Sequence, residues 1–148
     1  MRLTVSQLIE KPPVDVFRFV GTHHFQNHAK WDPAITEMTP MSAQPMAKGS
    51  TARLVRTDRG KRVEGTMMVT EYEPDRVFAA VSRFGPFVLH QRAVCDPAPG
   101  DGTRLQLTID TRARGPLRVL LPLLRSRFRQ TMAASLQTIK KQVESSSA

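Results

Sequence analysis

The amino-acid sequence predicts an α+β fold in which a curved antiparallel sheet of about six to seven strands wraps around one long C-terminal helix. Apolar and polar residues alternate along several runs between residues 50 and 111, as they do in strands with one buried face. Short segments rich in Gly, Pro and Asp separate these runs. Apolar residues at steps of three and four between residues 116 and 143 predict the helix, which is long enough to cover the sheet.

The N-terminal part predicts one strand followed by two short helices. Residues 3–9 form the strand, and a helix follows at Pro13, since proline suits the first position of a helix. Gly21 is expected to end this helix. Thr22 is expected to cap a second helix over residues 22–29. The Trp31-Asp32-Pro33 step breaks that helix, because the residue before a proline avoids the helical region.

The rest of the chain predicts a meander of strands and then the long helix. The helix covers residues 116–143, and Pro122 should kink it or separate its first turn from the main body. The segments Asp58-Arg59-Gly60, Glu73-Pro74-Asp75 and Gly85-Pro86 should form turns between strands. The predicted strands are residues 35–38, 50–57, 62–72, 76–83, 87–96 and 103–111.

Composition predicts a single globular domain. The chain has 148 residues, of which 40% are hydrophobic and 24% are charged. We expect one domain over residues 1–144 and a disordered tail over residues 145–148. No run approaches the length of a membrane span, and residues 1–13 lack the apolar core of a signal peptide. Cys95 is the only cysteine, so no internal disulfide can form, and we expect a cytoplasmic location.

Five short stretches together resemble the START/Bet v 1-like (SRPBCC) superfamily, in its polyketide cyclase/dehydrase-like branch. The stretches are KPPVDVFRFV at 11–20, KWDP at 30–33, VTEYEPDRVF at 69–78, GDGTRLQLTID at 100–110 and GPLRVLLPLLRSRFRQTM at 115–132. The resemblance spans residues 3–144 and implies a helix-grip fold that holds an apolar ligand between sheet and helix. It does not imply one activity, because one fold hosts many functions.

The leading functional prediction is the binding of a hydrophobic small molecule, such as a lipid or a polyketide-like compound, without a cofactor. It requires a void of roughly 300 Å³ or more, the lower range of ligand pockets. The residues predicted to line this void are Trp31, Met67, Val69, Phe78, Phe87, Leu89, Gln91, Leu105, Leu107, Leu121, Leu124 and Phe128. For Trp31, a place in the cavity wall and a place in the core are equally acceptable.

Three histidines lie close together in the sequence, at positions 23, 24 and 28. His24 and His28 would share one helix face, but zinc needs three or four ligands, and we predict no metal site. We expect the three to be exposed or helix-capping residues near the pocket mouth, of which one could contact the ligand.

An enzyme of the polyketide cyclase or dehydratase type is the second hypothesis, and no catalytic residue can be assigned to it. It needs a base and a hydrogen-bond donor inside the cavity. On residues 87–96, strand alternation turns Gln91 inward and His90 outward. We expect Cys95 to be a buried, unreactive thiol. The other polar candidates on predicted strands are Glu64, Glu71, Tyr72, Arg92 and Asp110.

A basic module that binds RNA, the ribosome or an anionic membrane is the third hypothesis. The net charge is +9 and the pI is about 10.8, but the arginines are scattered, which disfavours nucleic acid. The leucine-rich segment 117–128 suggests either a lid that also meets a membrane or partner, or ordinary core flanked by arginines. Peripheral membrane contact therefore stays open, as does the choice between a monomer and a homodimer.

Overall fold

A computed structural model, which describes residues 1–146, contains seven strands in one antiparallel sheet. The strands are β1 (Arg2–Ile9), β2 (Ile35–Pro40), β3 (Thr51–Asp58), β4 (Lys61–Glu73), β5 (Val77–Phe84), β6 (Phe87–Ala98) and β7 (Gly102–Ala113). Their order in the sheet is β1-β7-β6-β5-β4-β3-β2. This architecture, with a long C-terminal helix and short helices after the first strand, confirms the predicted fold class.

The tight turn between β3 and β4 follows from its two residues. Arg59 has a φ of 51° and Gly60 a φ of 77°, so both central residues are left-handed. This is the backbone of a type I′ turn, whose twist matches the twist of the strands on either side. The turn brings Asp58 opposite Lys61 and starts the register of the hairpin.

The first strand leads into helix α1 (Pro13–Phe17), a π-helical turn (Arg18–Thr22) and helix α2 (His24–Trp31). The expectation that Gly21 ends the first helix is wrong, because the π-helical turn continues through Gly21 to Thr22. A Cβ atom on Gly21 would lie 2.8 Å from the Phe17 ring, so the absence of a side chain lets this ring pack against the backbone. Thr22 does not cap α2 either, since its hydroxyl contacts the Tyr72 hydroxyl at 3.1 Å.

The C-terminal segment is divided at Pro122, as predicted. Helix α3 (Leu117–Leu120) and one 3-10 turn (Leu121–Leu124) precede the main helix α4 (Arg125–Ser145). Helix α4 packs along β1 and buries a stripe of residues with helical spacing, namely Met132, Leu136, Ile139 and Val143. Ser146 follows the helix, and the remainder of the predicted tail, residues 147–148, lies outside the described residues.

The concave face of the sheet is occupied in two ways. Toward β4 it is packed solid, and Met67 and Val69 belong to a continuous apolar core with Val16 and Phe17. Toward β5, β6 and β7 it leaves room beneath α4. Within residues 1–146, no helix combines the length and the apolar character that crossing a membrane requires.

Candidate functional site

A cavity of about 530 Å³ lies between the concave face of the sheet and α4. Its size exceeds the 300 Å³ that the sequence interpretation required. Alternate residues of each strand face it, as strand geometry dictates. The strand residues are Phe78, Ser82 and Phe84 on β5, Phe87, Leu89, Gln91 and Ala93 on β6, and Leu105, Leu107, Ile109 and Thr111 on β7. Helix α4 supplies Arg127, Phe128, Thr131, Met132, Ser135, Leu136 and Ile139.

Eight of the twelve predicted lining residues lie along this cavity. They are Trp31, Phe78, Phe87, Leu89, Gln91, Leu105, Leu107 and Phe128. Their contact with a ligand stays a prediction. Trp31 borders the cavity and also belongs to the buried core, where it is 9% exposed.

The other four predicted lining residues lie elsewhere. Met67 and Val69 point to the concave face, but both are 1% exposed and covered by protein side chains. Leu121 is buried against a second groove, which Met1 and Ala113 also line. Leu124 is half-buried outside the cavity. Their sequence pattern identifies an apolar face without saying whether protein or empty space covers it.

The leucine-rich segment 117–128 divides at the start of α4, and only Arg127 and Phe128 near its end line the cavity. Its residues 117–124 do not line the cavity, and only Leu121 among them is buried. Leu117, Val119, Leu120 and Leu123 are exposed. Contact of this segment with a membrane or a partner stays a prediction.

The polar candidates on strands divide as strand alternation predicts for β6. Gln91 is buried and faces the cavity, whereas His90 and Arg92 are exposed on the opposite face. Most of the remaining candidates are engaged outside the cavity. Arg92 donates to Glu71, Glu64 accepts from Arg53 and Arg62, and Asp110 pairs with the N-terminal ammonium and Arg112.

Two histidines line the cavity, and sequence reasoning misplaced them. His24 is 3% exposed and His28 is 7% exposed, so the expectation of exposed or capping residues is wrong for both; only His23 is exposed. Both sit on α2 with Trp31, at positions i, i+4 and i+7 of one helix face. Because Trp31 was expected to be buried, this spacing is the sequence signal that could have predicted burial of both histidines.

The environment of His24 fixes its tautomer. Its Nδ1 lies 2.8 Å from the Val20 carbonyl oxygen, which can only accept, so Nδ1 carries the proton and donates. Its ring stacks on Phe78 with centroids 4.4 Å apart. Burial, and then the charge that His28 would carry, lower the pKa of His24 well below its usual value.

His28 is also held neutral by its surroundings. Burial and then the positive charge of Arg56 lower its pKa to about 3. Asp32 lies 3.8 Å from His28 Nε2 and would favour a charged ring, but Arg56 donates to the same carboxylate at 2.8 Å. The Nδ1 atom of His28 is buried and has no hydrogen-bond partner among the described residues.

The cavity opens to solvent at one end. The exposed side chains of Asp58, Arg59 and Arg127 belong to its lining. Arg56 lies just inside and bridges Asp32 and Asp58, with its Nε 3.3 Å from the Asp58 carboxylate. A ligand would therefore enter past charged groups and then meet apolar walls.

Neither a metal cluster nor a reactive thiol emerges from the residues that the structure describes. No three His, Cys, Asp or Glu side chains in residues 1–146 are grouped closely enough to hold a metal ion. Cys95 is 2% exposed, and burial, followed by the charges of Asp96 and Asp75, raises its pKa to about 12. A thiol with so high a pKa is a poor nucleophile at neutral pH, as expected for Cys95.

Comparison with known proteins gives one family and many structural neighbours. The family model described as polyketide cyclase / dehydrase and lipid transport matches residues 1–144. No curated protein matches the sequence. Among solved structures, a START superfamily protein from Mycobacterium smegmatis has 17% identity, covers 97% of each chain and gives a TM-score of 0.78.

Two further structures show the same fold at low identity. The Zhui aromatase/cyclase from Streptomyces sp. R1128 has 16% identity and a TM-score of 0.74, covering 97% of this chain and 93% of its own. A protein from Thermus thermophilus has 19% identity and a TM-score of 0.76, with complete coverage of both chains.

Proposed function

The chain belongs to the polyketide cyclase/dehydrase and lipid transport family, and from this premise we propose that it binds an apolar small molecule of lipid or polyketide type. The observation that carries the proposal is the cavity of about 530 Å³ between sheet and α4, which lies within the range of ligand pockets. The eight predicted residues along its wall would contact the ligand.

The walls supply enough apolar surface for useful affinity. A ligand that buries about 250 Å² of apolar area gains about 6 kcal/mol from its removal from water. A gain of about 6 kcal/mol corresponds to a dissociation constant of about 40 μM. Lost motion on binding opposes this gain, so we expect simple hydrocarbons to bind no more tightly than that. Hydrogen bonds to the ligand would add to this.

Two measurements test the proposal. Native mass spectrometry of the protein purified from its own host should find a co-purifying apolar molecule. In addition, an alkyl or aryl probe should change the fluorescence of Trp31, which is the single tryptophan of the chain and lines the cavity.

A matched pair of variants locates the binding. Ala93 is buried on the cavity wall, so Ala93→Phe should fill part of the cavity and weaken probe binding at least about tenfold. Ala133 is exposed on α4, and Ala133→Phe should bind the probe like the parent. Equal binding by all three proteins would contradict a site in this cavity.

A cyclase or dehydratase activity is the second candidate, and the two cavity histidines favour it. An imidazole can take a proton from carbon next to a carbonyl. However, a base is most effective when its pKa is near the working pH, and the pKa of His28 is about 3. We therefore place binding first. Mass spectrometry can test whether the protein removes water from a poly-β-ketone. If it does, and if His24→Gln abolishes this loss of water, the enzyme hypothesis would take precedence over binding alone.

The basic-module hypothesis stays a prediction. Several arginines are paired on the outer face of the sheet, such as Arg53 with Glu37 and Arg92 with Glu71. Binding of RNA or of anionic vesicles that collapses with added salt would support it.

A further inference from the structure

Three buried polar side chains on the cavity wall have unused hydrogen-bonding capacity. Ser82 is 3% exposed, Thr111 is 8% exposed and Gln91 is 9% exposed, and all three line the cavity. Within residues 1–146, neither the Ser82 nor the Thr111 hydroxyl has a side-chain hydrogen bond, and neither is fully buried. Thr111 lines the second groove as well as the cavity. Gln91 has a single partner, His24, at 3.3 Å.

Strand register brings these three groups together. Leu89 on β6 lies opposite Ser82 on β5 and opposite Thr111 on β7. Gln91 is two residues from Leu89, on the same face of the same strand. Diagonal neighbours in a sheet are about 7–8 Å apart, and residues two strands apart are about 10 Å apart. The three groups therefore form a polar triangle, about the size of a fused pair of rings, around Leu89.

The orientation of Gln91 follows from the tautomer of His24. Because Nδ1 of His24 donates to Val20, the neutral ring offers Nε2 as an acceptor. The amide group facing it at 3.3 Å must then be the NH₂ of Gln91, which donates. The Gln91 carbonyl oxygen is left without a protein partner among the described residues, so the wall presents one fixed acceptor beside two hydroxyls.

Most other polar residues around the cavity are already satisfied; the exception is His28 on α2, whose Nδ1 has no partner among the described residues. On α4, the Thr131 hydroxyl donates to the Arg127 carbonyl at 3.0 Å, and the Ser135 hydroxyl donates to the Trp31 carbonyl at 3.0 Å. Asp32 accepts from the Ala34 amide and from Arg56. Apart from His28, the free hydrogen-bonding capacity lies on the sheet side, and α4 offers mainly apolar contact.

We propose that the ligand is a neutral, ring-containing apolar molecule with hydroxyl or carbonyl oxygens along one edge, and that Ser82, Gln91 and Thr111 recognise that edge. This inference rests on the proposed function of the cavity. Buried polar groups in proteins are nearly always hydrogen-bonded, and an unmet one is costly. A plain alkyl chain would leave all three groups without a partner. The part of the sheet that carries these three groups has no formal charge, whereas the charged lining residues lie at or just inside the open end of the cavity, namely Asp32, Arg56, Asp58, Arg59 and Arg127.

The test compares β-naphthol with naphthalene by equilibrium dialysis against the parent and its variants. The measured quantity is the preference, defined as the dissociation constant of naphthalene divided by that of β-naphthol. Thr111→Val and Ser82→Ala each remove one hydroxyl, and Gln91→Leu removes the amide. At least one of the three should lower the preference about fivefold, since one net hydrogen bond is lost. Circular dichroism checks that each variant is folded.

Thr131→Val is the matched control, because it makes the same substitution in the same cavity at a hydroxyl already bonded to the backbone. It should keep the parent's preference. If the parent binds both probes and all variants keep its preference, the polar triangle is satisfied by water and the inference is overturned, while the proposed function stands. If the parent binds neither probe nor any alkyl probe, the proposed function itself fails.

Discussion

Acidification should destabilise this protein well before its carboxylates are protonated, because His24 and His28 are buried in their neutral form. Both have a pKa below the ordinary value of 6.5 in the folded state. On acidification, the two imidazoles therefore bind protons in the unfolded chain but not in the folded one. The free energy of unfolding is unaffected above about pH 6.5 and falls as the pH drops below it, until the folded pKa is reached.

The size of the effect can be worked out for His28, whose folded pKa is about 3. At about pH 5 its imidazole is almost fully protonated in the unfolded chain and almost fully neutral in the folded one. The difference costs about 1.4 kcal/mol for each pH unit below about 6.5, or about 2 kcal/mol at pH 5. His24 adds to this loss with the same sign. For a domain of marginal stability this is a large fraction of the total.

Urea unfolding at several pH values between about 5 and 8 measures this directly. His28→Phe keeps the aromatic contacts with Trp31 and His24 but cannot titrate, so it should lose about 2 kcal/mol less than the parent at about pH 5. His90→Gln, at an exposed position, serves as the control. If the parent and His28→Phe lose the same free energy, His28 is not buried neutral and the reasoning is refuted.

Three other changes give distinct outcomes. Arg56→Gln removes the positive charge beside His28 and should raise the pKa of that ring, so urea unfolding should show a weaker loss of stability on acidification; an unchanged loss would contradict the role of Arg56. Gly21→Ala places a methyl group 2.8 Å from the buried Phe17 ring and should lower the free energy of unfolding by about 1–3 kcal/mol. Cys95, whose burial raises its pKa to about 12, should react with Ellman's reagent only after unfolding, and rapid labelling of the native protein would refute its burial.

Strand alternation was the sequence pattern that predicted side-chain orientation most reliably. Along β6 it correctly placed Gln91 inside and His90 outside, because a strand without a bulge turns successive side chains to opposite faces. The same reasoning on β4 correctly gave Met67 and Val69 an inward face. Alternation could not show that these two side chains are covered by protein rather than open to the cavity. Their burial depends on which side chains from distant parts of the sequence pack over them.

The helical residues were harder to place. His24 and His28 are polar, and polarity favours the surface unless a partner is known. The partners of His24 are the Val20 carbonyl, Gln91 and the Phe78 ring, and the last two are distant in sequence. Gly21 resembled a helix end, whereas its reason is contact with the Phe17 ring one turn earlier.

The pairing of β1 with β7 has a consequence for how the protein folds. Leu3 lies opposite Ile109, and both residues line the cavity. Closing a loop of about one hundred residues costs about 4 kcal/mol of chain entropy before that contact is gained. A sheet assembled through such distant partners forms slowly. A chain in which β1 has not docked would leave the edge of β7 unpaired beside Leu105, Leu107 and Ile109, so we expect undocking of β1 to increase aggregation.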